Sequence, residues 1–207
     1  MPVNYTIRAD VVDIRQDLPK PSDAFLVDTN VWYWMTYHRA SQSGQPPRGY
    51  QTRDYPAYIS KAISAKAQLR HCGLFLAELA HLIERTEREI FIRSNGPVGT
   101  KEYRHNHPAE RTNVVAEIQA AWGQVKTMAK PIDILVDEPA TNVALTRLQT
   151  HPLDGYDLFI LEAISRTGII QVITDDGDYA TVPGIQVFTS NHPVITAARN
   201  QGRLLQR

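Results

Sequence analysis

The chain has few cysteines, no charge imbalance and no long apolar run, and each shortage excludes something. Cys72 is the one cysteine among 207 residues, so no internal disulfide can form. It sits in a stretch read as helical, where a small buried side chain is the expected role, and a reducing cytoplasm suits it. Lysine plus arginine and aspartate plus glutamate number 22 each, so no global positive field draws the protein to nucleic acid and any such contact must be local. The first eight residues, MPVNYTIR, hold no apolar signal core, and no later segment approaches the roughly 20 apolar residues of a membrane span. Neither secretion nor membrane insertion is expected. What is present is ordinary: a hydrophobic content of 43%, enough for one domain with a real core.

Residues 1–23 alternate loosely and end in Leu18-Pro19-Lys20-Pro21, which neither a helix nor a central strand accepts; they read as an extension. A strand is expected at Phe25 to Val27, followed by a helix through Val31-Trp32-Tyr33-Trp34-Met35. The Gly-, Pro-, Ser- and Gln-rich stretch from Ser41 to Pro56 reads as a loop or insertion. Helices follow over 57–70 and 74–92. From Ile90 to Ala109 a local basic, aromatic loop carries Arg93, Lys101, Tyr103, Arg104, His105 and His107. Val114, Ile118, Ala121, Trp122 and Val125 recur at helical spacing after Pro108, and that helix stops by Pro131. A strand over 132–136, a short helix over 140–148, a helix from Asp157 to Thr167 stopped by Gly168, and strands over 169–174 and 185–189 complete the pattern. Strands alternating with helices imply a three-layer α/β/α sandwich around a mostly parallel sheet, whose ligands bind beyond the carboxyl ends of the strands. The domain is placed at 24–190, with 191–207 as a C-terminal tail.

Four carboxylates stand where such elements would present them. Asp28 ends the run Phe25-Leu26-Val27; its position serves a helix cap and a metal ligand equally well. Glu78 lies in a helix that reads apolar nearly all round, so it needs a partner, with His81 as the structural alternative to a ligand role. Asp157 opens Leu158-Phe159-Ile160-Leu161, where capping alone would explain an aspartate. Asp176 belongs to the turn Asp175-Asp176-Gly177-Asp178, whose acids would ordinarily face solvent. Four converging carboxylates would repel one another by ~3 kcal/mol per pair at about 5 Å and an effective dielectric of about 20. A divalent cation would offset that.

These motifs together resemble PIN-domain nucleases: Phe-Leu-Val-Asp-Thr-Asn-Val-Trp near the start, Leu-Ala-Glu-Leu on a helix, Asp157 before Leu-Phe-Ile-Leu-Glu-Ala, and Ile-Thr-Asp-Asp-Gly-Asp-Tyr ahead of Pro-Gly-Ile-Gln-Val, over about residues 24–190. The resemblance implies a central parallel sheet and an acidic pocket holding Mg²⁺ or Mn²⁺ for cleavage of RNA. Carried over, Asp28, Glu78, Asp157 and Asp176 are the acidic ligands, Asp178 is a further acid, and Asn30 and Thr174 are polar supports. Asp154 is the alternative to Asp157.

Metal ions held by carboxylates can activate a water, neutralise phosphate charge and stabilise the departing oxygen, with no side-chain nucleophile. One or two ions are expected, with Asp28 and Asp176 as direct ligands and Glu78 and Asp157 binding the second or ordering its waters. Lys101, Tyr103 and Arg104 are assigned to RNA contact, since cations track phosphates and an aromatic stacks on a base; a solvated loop is the plain alternative. His105 and His107, alternating without cysteines nearby, make a poor zinc site. Trp32, Tyr33 and Trp34 flank the acids, though an aromatic helix start more often belongs to a core. The expected function is a metal-dependent endoribonuclease acting on single-stranded RNA in the cytoplasm. Its alternatives are the toxin of a toxin–antitoxin pair, with an antitoxin or other inhibitory protein as partner, and a non-catalytic PIN-like RNA-binding subunit; a homodimer is a further expected partner state. An aspartate-nucleophile phosphatase usually wants a second acid two residues on, and Asn30 holds that place.

Overall fold

The computed structural model describes residues 3–153 and 155–207. Its strands in chain order are β1 (Asp10–Asp13), β2 (Ala24–Val27), β3 (Gln68–Cys72), β4 (Lys130–Ile132), β5 (Gln171–Ile173) and β6 (Gln186–Thr189). Among the described residues these six form one sheet in the order β1-β6-β5-β2-β3-β4, with every neighbouring pair parallel. The helices are α1 (Thr29–Thr36), α2 (Gly49–Ser64), α3 (Gly73–Asn95), α4 (Thr100–Asn106), α5 (Pro108–Met128), α6 (Glu138–Thr150), α7 (Asp157–Thr167) and α8 (His192–Asn200). They flank the sheet in a three-layer α/β/α sandwich.

Strands covered on both faces read as apolar runs, because neither face meets water. In β2 the residues Phe25, Leu26 and Val27 are completely buried, and so are Val172 and Ile173 in β5 and Val187 and Phe188 in β6. Leu26 lies level with Arg70 on one side and Val172 on the other, and the Phe25 ring meets Phe188 edge-on at 4.9 Å. Gly168 ends α7 in the left-handed conformation, φ 70°, as its place after the last apolar turn predicts.

The chain runs from β2 outward through β3 to β4, then returns to lay β5 on the other side of β2. The direction of winding therefore reverses between β2 and β5, and a crevice opens there at the strands' carboxyl ends. Asp28 follows β2, and Thr174 to Asp176 follow β5. The topology alone puts two of the four acids at one point.

Several expectations are corrected. Residues 10–13 are no loose extension: they are β1, paired with β6 and bridged through Val11 to Leu204. The tail is equally integral, since α8 buries Val194, Ile195 and Ala198 against Ile7, Val11 and Ala180. The stretch 41–56 is half helix, because α2 starts at Gly49 and carries Pro56 inside it, with burial of Tyr55 and Tyr58 holding the kink-prone turn in place. The helix expected to reach residue 70 stops at Ser64, and the chain re-enters the sheet as β3, which places Cys72 at the end of a strand. Burial raises that thiol to about 11, so it is an inert core side chain. The strand expected at 132–136 lies earlier, at 130–132, where Pro131 is tolerated because β4 is an edge strand; Leu135 and Val136 are exposed. The basic loop is largely helix, α3 running to Asn95 and α4 covering 100–106.

Candidate metal centre

Asp28 is 3% exposed. Its backbone is extended (φ −67°, ψ 155°) where β2 gives way to α1. The Oδ1 atom accepts the Thr29 N–H at 2.7 Å and Oδ2 accepts the Thr174 hydroxyl at 2.7 Å. A capping side chain ordinarily serves the second or third N–H of its helix; this one reaches only the first, so capping accounts for little of it. Its carboxyl is pushed well above the usual range, first by burial and then by the negative charges of Asp157, Glu78 and Asp176, against which the Thr174 bond works. The other three acids assigned from sequence are thus within electrostatic reach of Asp28.

Each is held by a hydroxyl or a backbone donor. Glu78, on the second turn of α3, receives the Thr29 hydroxyl on Oε2 at 2.6 Å. The helix around it is less enclosed than its apolar sequence predicts, with Leu76 exposed and Glu78 half-buried; His81 is exposed and shares a groove with it. Asp157 is the first residue of α7 rather than its cap, which is Tyr156, and the buried Tyr179 hydroxyl donates to Oδ1 of Asp157 at 2.6 Å. Burial and the charges of Asp157 and Asp28 keep that phenol protonated far above its ordinary range. Asp176 donates its N–H to Thr174 Oγ1 and accepts the Asp178 N–H on Oδ1, both at 2.9 Å. Thr174 is therefore the joint of the site: one hydroxyl gives its proton to Asp28 and receives the N–H of Asp176. Asp154 lies outside the described residues.

Its neighbour Asp175 has a different job. Tyr55 donates to its Oδ1 at 2.7 Å, while Tyr50 and Gln51 donate to its Oδ2 at 3.0 and 2.6 Å. Three donors from α2 fix the acidic turn. Asn30 faces a neighbouring cavity. The sequence reading also missed Tyr5, whose ring lies on Gly177 so closely that an added Cβ would sit 2.2 Å from it; burial and then the charges of Asp178, Asp176 and Asp175 raise its phenol. Thr29 and Tyr179 carried no sequence signal beyond adjacency to the acids, and Tyr5, far from them in the chain, carried none.

Of the residues assigned to RNA contact, Arg104 lines the groove that holds Glu78 and His81, while Tyr103 is turned inward. Tyr103 is 1% exposed and packs on Phe91, centroids 5.4 Å apart, so its face is not open to a base. Arg104 pairs with both oxygens of Glu84 at 2.7 and 2.8 Å, which lowers the Glu84 carboxyl. Lys101 is exposed on α4. A helix with a buried tyrosine and a committed arginine replaces the mobile loop.

Among the described residues no group of three or more His, Cys, Asp or Glu side chains is placed so that it could hold a metal ion. The donor set nevertheless suits a hard divalent cation: carboxylate oxygens at a sheet edge, one of them buried and destabilised by like charge. The fold and this cluster together define an α/β sandwich with an acidic crevice at its switch point. No family model and no curated protein matches the chain.

Proposed function

We propose that this protein is a metal-dependent endoribonuclease of the PIN type, hydrolysing phosphodiester bonds of single-stranded RNA with Mg²⁺ or Mn²⁺ held by Asp28, Glu78, Asp157 and Asp176. One observation carries the reading: Asp28 is buried at the crevice with the charges of three further acids bearing on it. Such crowding costs several kcal/mol without a counter-charge. Hydroxyls from Thr29, Thr174 and Tyr179 offset part of it, at about 1.5–3 kcal/mol for each bond to a charged group.

When bound, the cation supplies charge neutralisation at the phosphate and an acidified water. The chain's own residues set the geometry. Thr174 couples Asp28 to the Asp176 backbone, so the ends of β2 and β5 keep a fixed separation. Tyr179 locks Asp157 from beneath, and the Asp175 clamp keeps the turn from swinging into solvent. Asp178 extends the negative rim above Tyr5.

Purified protein incubated with unstructured RNA is expected to cut it with Mg²⁺ or Mn²⁺, and to stop with EDTA or in the Asp28→Asn variant. Cleavage that persists in chelator and co-purifies with this chain overturns the metal mechanism.

A further inference from the structure

Beside the acids lies a cavity of about 690 Å³ that none of the acids explains. Separate parts of the chain build it: the segment before β1, the start of α1, the stretch from α1 into α2, the middle of α3, the turn after β5 and the start of α8. Tyr5, Trp34 and Tyr50 supply aromatic walls, Arg48 and Arg85 supply positive charge, and Ser43 lies against the wall. Asn30 and Asp175 also line it, and its wall residue Tyr5 packs on Gly177, so it adjoins the acidic turn. Its volume falls in the roughly 300–1,000 Å³ of small-ligand sites.

The lining has a definite chemistry. Trp32 and Tyr33 go to the core, but Trp34 is half-exposed, backed by the Tyr55 ring at 5.6 Å. Tyr50 and Gln51 are committed to Asp175, which makes that wall rigid. Ser43 is 6% exposed, and among the described residues its Oγ has no hydrogen-bond partner of good geometry, although it lies near the Tyr33 hydroxyl that bonds Thr86. A buried hydroxyl without a partner is costly and marks a place where a ligand group can bond. Arg48 and Arg85 are exposed; Arg85 makes a long ion pair with Glu89, 3.9 Å, and Arg48 lies beside the Tyr50 hydroxyl and the charge of Asp175. Aromatic faces, a weakly bonded hydroxyl and two exposed guanidiniums fit a flat polar ring carrying a phosphate. In a protein of zero net charge these two arginines also add local positive charge of the kind an RNA strand needs.

We propose that this cavity is a nucleobase subsite: it takes one base of single-stranded RNA next to the phosphate held at the acids, and so decides where the strand is cut. The position relative to the cut rests on the ribonuclease reading; the binding itself does not. A base inside a duplex is stacked and cannot enter, so single strands are selected. Stacking between Trp34 and Tyr5 tolerates any base. Discrimination falls to Ser43, which bonds one ring edge.

The test separates binding from cutting. Fluorescein-labelled 12-nucleotide homopolymers of A, C, G and U are titrated in EDTA at low salt against the wild type, Trp34→Leu, Ser43→Ala and the double variant Arg48→Gln/Arg85→Gln; cut positions are mapped separately with Mg²⁺ on a random-sequence RNA. Trp34→Leu and the arginine double variant are expected to bind tenfold or more weakly. Ser43→Ala should keep affinity within about threefold while levelling the differences among the four polymers and among cut positions. The exposed arginines leave the fold intact if Trp34→Leu does not. Equal affinities and equal base preference in wild type and folded variants overturn the subsite, whether or not the wild type cuts. A wild type that never cuts, with binding lost as expected in the variants, overturns the ribonuclease reading and upholds the subsite.

Discussion

Tyr179 donates its hydroxyl to Asp157 across 2.6 Å, linking the turn after β5 to the first residue of α7. The phenol is completely buried, so its bond is made in a medium where charge is poorly screened. Tyr179→Phe keeps the ring and deletes only the donor. Urea unfolding in EDTA should show a loss of about 1.5–3 kcal/mol, the usual worth of a bond to a charged group. A loss below a few tenths would mean that Asp157 does not depend on this hydroxyl.

Asp28→Asn tests whether the acids crowd one another. The amide retains an acceptor for the Thr29 N–H, and the Thr174 hydroxyl can turn to accept instead of donate, so packing is preserved. With one negative charge removed, the metal-free variant should melt higher than the wild type. Millimolar Mg²⁺ or Mn²⁺, which stabilises by binding the folded state alone, should raise its melting temperature less. Equal metal shifts in the two proteins would rule out Asp28 as a ligand.

Gly177 has an ordinary φ of −72°, so alanine there is not strained by its backbone. What forbids it is the Tyr5 ring, whose atoms would lie 2.2 to 2.6 Å from the new methyl. Gly177→Ala should therefore destabilise the protein by about 1–3 kcal/mol, and Tyr5→Ala in the same chain should recover much of that. The pair must be non-additive by at least about 0.5 kcal/mol in a double-mutant cycle. Additive losses would show that the two residues do not touch.

Arg207 binds Asp17 through Nε and Nη2 at 3.0 and 2.9 Å and Asp23 through Nη1 and Nη2 at 2.9 and 3.0 Å, with its guanidinium over the Phe188 ring. All three side chains are at most 10% exposed. Arg207→Gln strands two enclosed carboxylates and should cost on the order of 3 kcal/mol. Burial pushes the Asp23 carboxyl up, but the Arg207 bond and the donors from Lys20 and Gln171 outweigh it, leaving the group below its ordinary 3.8. A carboxyl lowered on folding stabilises the native state above its unfolded value, and that stabilisation vanishes as pH falls through the folded one. The wild type should accordingly lose stability below about pH 4 more steeply than Arg207→Gln. Parallel acid profiles would contradict the ion pair.

How far the sequence reaches is clear from particular residues. Phe25 to Val27, Val172 and Ile173, and Val187 and Phe188 announce themselves because central parallel strands are apolar on both faces, and the helices 108–128 and 157–167 show their period. The same logic fails for β1, where Asp10 and Asp13 bracket two valines, and for β3, whose Gln68, Arg70 and His71 read as the polar side of a continuing helix. β1 is the edge of the sheet, and β3 leaves Gln68 exposed and Arg70 half-buried. The acids were visible as carboxylates at element ends, yet no local pattern could show that Thr174 joins two of them, that Asp175 turns away into α2, or that Tyr5 travels across the molecule to Gly177. Composition misled at 49–56, where glycine and proline masked a helix held by tertiary burial of tyrosines. It misled again at Tyr103, where an aromatic among cations belonged to a core.

The edge of the sheet has a consequence for how the molecule is made. The N–H of Ile7 is answered by Gln201, 194 positions away, and β1 has no partner strand until β6 exists. At ribosomal rates of about 5–20 residues per second, Val11 and Val12 wait some 10–40 s for their neighbours. Through that interval β1 is an unpaired edge strand, closed in when β6 arrives. Pairings so distant in sequence fold slowly, so this corner, which also lays Tyr5 on Gly177 beside the acids, sets the window in which the nascent chain is open to aggregation or to a chaperone.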